Sequence, residues 1–297
     1  MKVNVFGATS FTGTAFLRTL ADWVGCSGIF TYSRDPECSC PVDMSLPATF
    51  MPASGSDSSI WVAFAPIWIF APFFHAFASK THNLSSLVSG VIACSSSSVL
   101  AKRFSANTYD QSLVARLCSA ENLLLETCRS AGVPCRILRP ALVYGKSGNK
   151  GDLNLSRIIV AMRYLPILPL PAFSGLRQPI HASQLGAVIL ELVKQIAEGM
   201  LDPFTPECIA IGGDSELTYT AMLLALQQSL PPSDSARNCR LISIPNRFFF
   251  LLCAFLLFRS TRDFEAGLRM ASNLSGFTPC HQIHGGSPSN FPVLPLA

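Results

Sequence analysis

Val3-Asn4-Val5-Phe6-Gly7-Ala8-Thr9-Ser10-Phe11-Thr12-Gly13 is the stretch that decides the fold. An apolar run over Lys2–Phe6 stops at Gly7, and helical periodicity takes over from Thr14 to Val24, so the segment reads strand, tight turn, helix. Gly7 permits the turn, and Gly13 lets helix and strand pack closely. The backbone N–H groups of Ala8 through Thr12 then face an anion at the positive end of the helix. Ser10 stands where a middle glycine is usual and is small enough to keep the approach close. This arrangement cradles the pyrophosphate of a dinucleotide, with Gly7, Ala8, Thr9, Ser10, Phe11, Thr12 and Gly13 as the contact residues. The alternative is a loop that is merely tight.

Outward from this loop, short apolar runs alternate with helical periodicity through the first two thirds of the chain. The expected strands are Lys2–Phe6, Gly28–Tyr32, a short one ending near Asp43, Ser59–Ala65, Gly90–Ser95, Val133–Leu138 and Cys208–Ile211. Tyr109–Ser130 reads as a helix closed by Gly132, a natural left-handed cap. The rhythm predicts an α/β protein with a Rossmann-like, doubly wound parallel sheet. From Lys146 the texture changes: Gly148, Gly151, Pro166, Pro169, Pro171 and Gly175 break the chain around one helix, Leu155–Tyr164. The expected division is a dinucleotide-binding core over 1–145 and a small C-terminal substrate-side lobe over 146–297. In that lobe a late strand near 208–211 returns to the sheet, and the tail is loose.

The tip of the second strand reads Tyr32-Ser33-Arg34. NAD-preferring domains place an acidic residue there to hold the ribose 2′-OH. Ser33 and Arg34 offer instead a hydroxyl and a cation, which suits the 2′-phosphate of NADP, with NAD as the alternative. Asp43, after the short third strand, stands where it could accept from the adenine amino group, or it is an exposed loop carboxylate.

Composition excludes several classes. Hydrophobic residues make up 49% of the 297 and charged ones 13%, so the chain is neither disordered nor supercharged. The net charge of +4 comes from scattered Lys and Arg, with no basic run suited to nucleic acid. The 11 cysteines include no CxxC pair and no His beside Cys38 and Cys40, so no metal site is expected and the thiols read as free. Ile60–Ala78 carries no formal charge, yet Pro66, Pro72 and His75 interrupt it, and a buried strand followed by a helix is the expectation rather than a membrane span. Phe248–Phe258, between Arg247 and Arg259, reads as a buried or interfacial helix. A cytoplasmic setting is expected.

Four segments together resemble the extended short-chain dehydrogenase/reductase superfamily, in particular its NAD-dependent epimerase/dehydratase branch. Gly7-Ala8-Thr9-Ser10-Phe11-Thr12-Gly13 is similar to its glycine motif, and Cys94-Ser95-Ser96-Ser97-Ser98-Val99 to its serine-rich end of strand five. Arg139-Pro140-Ala141-Leu142-Val143-Tyr144-Gly145 is similar to its RPxxVYG segment, and Arg177-Gln178-Pro179-Ile180-His181-Ala182-Ser183-Gln184-Leu185 to its R-x-x-I-H-V-x-D-L segment. The resemblance implies NADP- or NAD-dependent oxidation and re-reduction of a carbinol carbon, with a nucleotide sugar as substrate. A homodimer is compatible with it.

The resemblance also implies a Tyr with a Lys four residues later, and a Ser or Thr that orients the substrate oxygen. The matching serine is Ser96, whose alternative role is a cap at the strand end. The expected tyrosine and lysine positions hold Leu113 and Leu117. Tyr109 is the tyrosine on this helix, with Arg116 two turns on; the alternative is a helix-start tyrosine and a solvated arginine. Tyr144 offers a further hydroxyl or a pocket wall. Arg157 and Arg177 are the cations placed to meet a substrate diphosphate, or are lone surface arginines, and His181 lines the cleft or is structural. Two functions therefore stay open: an oxidoreductase or epimerase, and a dinucleotide-binding protein without hydride chemistry.

Overall fold

The computed structural model describes residues 1–23, 27–35, 38–47, 50–147, 150–152, 154–201 and 206–293. Val24, Pro36, Gly148 and positions 294–297 of the expected tail lie outside the described residues. In chain order the elements begin β1 (Lys2–Phe6), α1 (Phe11–Ala21), β2 (Gly28–Ser33), β3 (Cys40–Pro41), β4 (Ser59–Ala63), α2 (Ile67–Ala78), α3 (Leu84–Leu87), β5 (Val88–Cys94), α4 (Ser98–Ala101), α5 (Thr108–Ser130) and β6 (Cys135–Pro140). There follow β7 (Val143–Tyr144), β8 (Lys146–Ser147), β9 (Lys150–Gly151), α6 (Asn154–Tyr164), β10 (Ile167–Pro171), β11 (Leu176–Arg177), β12 (Ile180–His181) and α7 (Ala182–Ala197). The last elements are β13 (Cys208–Gly212), β14 (Leu217–Thr218), α8 (Tyr219–Ser229), β15 (Arg240–Ile244), α9 (Asn246–Ala254), α10 (Thr261–Leu268), β16 (Thr278–Pro279) and α11 (Cys280–His284).

By internal contacts the chain divides into two units. The first holds Met1–Val99, Val114–Pro140 and Ala182–Ile211; the second holds Leu100–Leu113, Ala141–His181 and Gly212–Ala297. The first unit thus reclaims α7 along with the late strand, whereas the sequence reading returned the strand alone.

Within the first unit the strands run β13-β6-β5-β4-β1-β2-β3, all parallel. The chain builds outward from β1 through β2 to β3, then returns to the other side of β1 with β4. That reversal between β1 and β4 is the place where a doubly wound sheet opens a ligand crevice beyond its strand ends. The fold is Rossmann-like α/β.

Both faces of this sheet are covered. Trp61 of β4 packs its ring against Phe74 and Phe77 of α2, and Phe6 of β1 against Phe70 and Phe73. Successive strand residues point to opposite faces, and Ile60 pairs in register with Gly90. A Cβ on Gly90 would lie 2.7 Å from Ile196 of α7, so α7 covers the face opposite α2. This double cover explains the uncharged Ile60–Ala78 run: every residue of β4 is buried, and α2 buries Ile67, Phe70, Ala71, Phe73, Phe74 and Phe77. No described helix is long and apolar enough to cross a membrane.

The Phe248–Phe258 run behaves differently from a buried helix. α9 and the single 3₁₀ turn over Phe255–Phe258 bury only Phe249 and Cys253. Phe250 is half-buried and the other large apolar side chains of the run are exposed, Phe258 at 92%.

Glu121 is the most deeply buried charged group described in the first unit. Glu121 of α5, 2% exposed, receives Nε of Arg139 at 3.1 Å and its terminal nitrogen at 2.5 Å, and Ser95 Oγ donates to the same carboxylate. The fork ties α5 to the ends of β5 and β6. Removing one partner strands the other charge in a poorly hydrated place. Glu121→Ala is expected to lower unfolding stability by about 3 kcal/mol, read as a shifted midpoint in urea; an unchanged midpoint would show that the fork carries no stability.

Candidate functional site

The turn between β1 and α1 is held from three sides. Gly7 adopts φ +71°, and its N–H donates to Tyr32 O of β2 at 2.8 Å. On its other side the end of β4 comes so close that a Cβ on Gly7 would lie 2.4 Å from Ala65 N. Below, Gly13 runs past the same turn: a Cβ there would lie 2.6 Å from Gly7 O. The loop can occupy this slot only as glycine-turn-glycine.

Ser10 is the N-cap of α1. Its Oγ accepts from Gly13 N–H at 3.0 Å and donates to Gly7 O at 2.8 Å, while Ser10 N–H donates to Gly7 O at 3.0 Å. Ala8 N–H leans on Tyr32 O at 3.4 Å. The motif places every amide from Ala8 to Thr12 toward a pyrophosphate, but Ala8 and Ser10 spend theirs inside the turn. Among the described residues, the amides of Phe11 and Thr12 meet no acceptor. They open the first turn of α1, where the helix dipole is positive and negative charge is favoured.

The tip of β2 adjoins this loop. Thr9 Oγ and Ser33 Oγ share a hydrogen bond of 2.8 Å, and Ser33 Oγ also accepts from Asp35 N–H at 3.1 Å. Ser33 is 7% exposed, so its hydroxyl locks the loop to the strand tip, whereas Arg34 is exposed. Asp43 is exposed as well. Its Oδ1 accepts from Ser45 Oγ at 2.7 Å and from Ser45 N–H at 2.9 Å, and these bonds, with Arg34 at longer range, hold the carboxyl below its ordinary value. The loop residues, Ser33, Arg34, Asp43 and Ser96 all belong to the first unit. Ser96 follows β5, half-buried, and its Oγ accepts from Ser98 N–H at 3.1 Å, a strand-end cap.

Tyr109, Tyr144, Arg157, Arg177 and His181 belong to the second unit. Tyr144 and His181 meet there: they pair in register between β7 and β12, with ring centroids 5.1 Å apart. Tyr144 is 1% exposed and its hydroxyl accepts from Val293 N–H at 2.8 Å; burial pushes its pKa up to about 12. Burial also pulls the His181 pKa down. Arg177, placed by the sequence reading against a substrate diphosphate, is 7% exposed. Its guanidinium donates to Leu176 O at 2.7 Å, to Ser272 O at 2.6 Å and to Arg269 O, and it lies over the Tyr219 ring. Its charge tacks the chain around residues 269–272 to β11. Arg157 remains exposed on α6.

The head of α5 carries no tyrosine–lysine pair. Tyr109 is 56% exposed under the Arg262 guanidinium, 4.0 Å from its ring centroid, while Arg116 lies over Trp68. The expected electrostatic partnership of Tyr109 with Arg116 is therefore replaced by two separate stacks. Leu117 is buried and Leu113 half-buried.

Two charge clusters escaped the sequence reading. One is the Glu121–Arg139–Ser95 fork. The other encloses Asp110, fully buried, with Lys102 at 2.8 Å, Arg269 at 3.2 Å and Asn107 at 3.1 Å. Burial raises the Asp110 carboxyl, but the Lys102 and Asn107 hydrogen bonds outweigh it and leave it below its ordinary value. Glu265 closes this cluster by accepting the amides of Ala106 and Asn107, each at 2.9 Å. Arg139-Pro140 was a signal for the first cluster; nothing local marks Glu265 as a partner for residues so distant in sequence.

No family model matches the sequence, and no curated protein does. Solved structures do resemble the fold. A human epimerase family protein crystallised with NADPH matches at TM-score 0.64 and 14% identity, covering 99% of this chain and 96% of that one. A UDP-glucuronic acid 4-epimerase from Bacillus cereus, in complex with UDP-glucuronic acid and NAD, matches at 0.63 and 13%, covering 98% and 95%. A nucleoside-diphosphate-sugar epimerase from Staphylococcus aureus matches at 0.61 and 14%, covering 98% of each chain. At this identity what is shared is the fold, over nearly the whole length.

The close approach at Gly7 is testable against a glycine with the same backbone and open space. Gly132 has φ +66° with nothing within 4 Å of an added Cβ. Gly132→Ala should cost only the left-handed conformation, about 1–2 kcal/mol. Gly7→Ala should cost clearly more, because its Cβ meets the Ala65 backbone. Equal losses in urea denaturation would contradict the packing described for the turn.

Proposed function

We propose that this chain binds a nicotinamide dinucleotide on the Gly7–Gly13 loop, NADP(H) in preference to NAD(H). We propose further that it acts as an oxidoreductase of the epimerase type on a nucleotide sugar or a related carbonyl or alcohol. The observation that carries the reading is the pair of unmet amides, Phe11 and Thr12, at the positive end of α1 and at the reversal point of the sheet. A phosphate group satisfies both the hydrogen bonds and the field. Arg34, exposed beside the loop-locking Ser33, supports the 2′-phosphate, since a guanidinium binds phosphate with two parallel hydrogen bonds. The cofactors of the fold neighbours, NADPH in one and NAD in another, support the nicotinamide class and leave the choice to Arg34.

When bound, the dinucleotide supplies hydride exchange at a carbinol carbon. Ser96 fits the orienting role: its Oγ already accepts from Ser98 N–H, so its own proton is left to donate to a substrate oxygen. The sugar-nucleotide substrates of the neighbours support that class of substrate.

A second reading, dinucleotide binding without turnover, rests on the tyrosines. Tyr144 is enclosed with its hydroxyl already bonded and hard to ionise, and Tyr109 has no lysine four residues on.

Titration with both cofactors tests the first half. NADPH should bind tighter than NADH, and Arg34→Ala should weaken NADPH alone by about tenfold or more. Equal binding, or an indifferent variant, would refute the assignment. Nicotinamide absorbance followed with UDP-sugars and simple alcohols tests the second half: turnover should fall about a hundredfold in Ser96→Ala. Tight NADPH binding with no absorbance change across that panel would select the binding-protein reading.

A further inference from the structure

The second unit holds a cleft of about 630 Å³ among α6, β10, α9 and α10. That is the size of a small-molecule site, and its walls are almost wholly apolar: Ile158, Leu168, Leu170, Phe249, Leu252 and Leu256 are among them. Two charged side chains line it. Asp263 is engaged by Arg259 at 3.3 Å, whereas Arg157 is exposed and, among the described residues, has no carboxylate partner. The cleft therefore presents a hydrocarbon surface with one uncompensated cation.

We propose that this cleft binds the chain of a free long-chain carboxylic acid, with its carboxylate against Arg157. The apolar wall accepts methylene groups, each worth about 0.8 kcal/mol on leaving water. It offers few partners to a ribose or a diphosphate, whose buried polar atoms would go unmatched. Charge selects the head group: a carboxylate meets Arg157, and no unpaired acid opposes it. Two of the lining side chains, Leu252 at 47% and Phe255 at 65% exposure, carry the same surface out to solvent, where an incoming chain first meets it. The proposal stands apart from the cofactor reading, because every residue in it belongs to the second unit.

The test is calorimetric titration of the full chain with sodium dodecanoate below its micellar concentration, with dodecanol and anionic phosphatidylglycerol vesicles as parallel probes. The expected result is saturable binding of one dodecanoate per chain and weaker binding of dodecanol. Arg157→Gln should reduce dodecanoate affinity by about tenfold and leave dodecanol unchanged. Leu252→Asp, at a partly exposed position, should abolish both while the thermal midpoint and NADPH binding stay as they were. Three results would overturn the proposal: no saturable binding, equal binding in Leu252→Asp, or attachment to vesicles without binding of monomeric dodecanoate. A dimer in sedimentation that Leu252→Asp dissociates, with no dodecanoate bound, would assign the apolar face to a second copy and overturn it too.

Discussion

Gly7 sits in a slot bounded by β2, β4 and the first turn of α1, with room for a hydrogen atom and nothing larger. Its amide is fixed to Tyr32 O at 2.8 Å, and the Ala65 backbone closes the other side. Several features follow from that contact. Because β1 lies between β2 and β4, the turn at its end lies where the strand order reverses. Because the turn is tight, α1 starts immediately and its first amides face out of the loop. The same constraint that packs the sheet therefore sets the amides of Phe11 and Thr12 at the open end of the loop, so the fold and the proposed cofactor site share one set of atoms.

The loop also divides its labour. Ser10 caps the helix and bonds back to Gly7, Thr9 is clamped to Ser33, and Ala8 leans on Tyr32. Among the described residues the amides of Phe11 and Thr12 meet no acceptor. A ligand site on those amides would be preorganised, because their neighbours are already spent on holding the turn. The head of α5 offers no tyrosine–lysine acid/base pair. The positions where a tyrosine and a lysine are expected hold Leu113 and Leu117, and the nearby cations are committed to aromatic rings.

The sheet was legible because its signals are local. Apolar runs bounded by Gly and Pro marked β1, β2, β4, β5, β6 and β13 to within a few residues, and Gly132 closed α5 in the left-handed geometry its position implied. The uncharged Ile60–Ala78 run resolved as strand plus helix because two faces of one sheet hide it. What failed to show in sequence depends on distance. That Arg177 would turn onto the carbonyls of residues 269 and 272, or that Glu265 would cap the Asn107 turn, is set by chain segments far away in the sequence. For Phe248–Phe258 the sequence leaves a buried and an interfacial helix both open, since periodicity reports an apolar stripe and not what covers it.

Hydrogen exchange on the amides of Phe11 and Thr12, with and without NADPH, tests the central claim most directly. These two amides are expected to exchange readily in the free chain and to slow markedly when NADPH is added, together with their neighbours in the Gly7–Gly13 loop. If saturating NADPH left both amides unprotected, or protected only residues of the second unit, the dinucleotide would not dock on this loop and the account would fail.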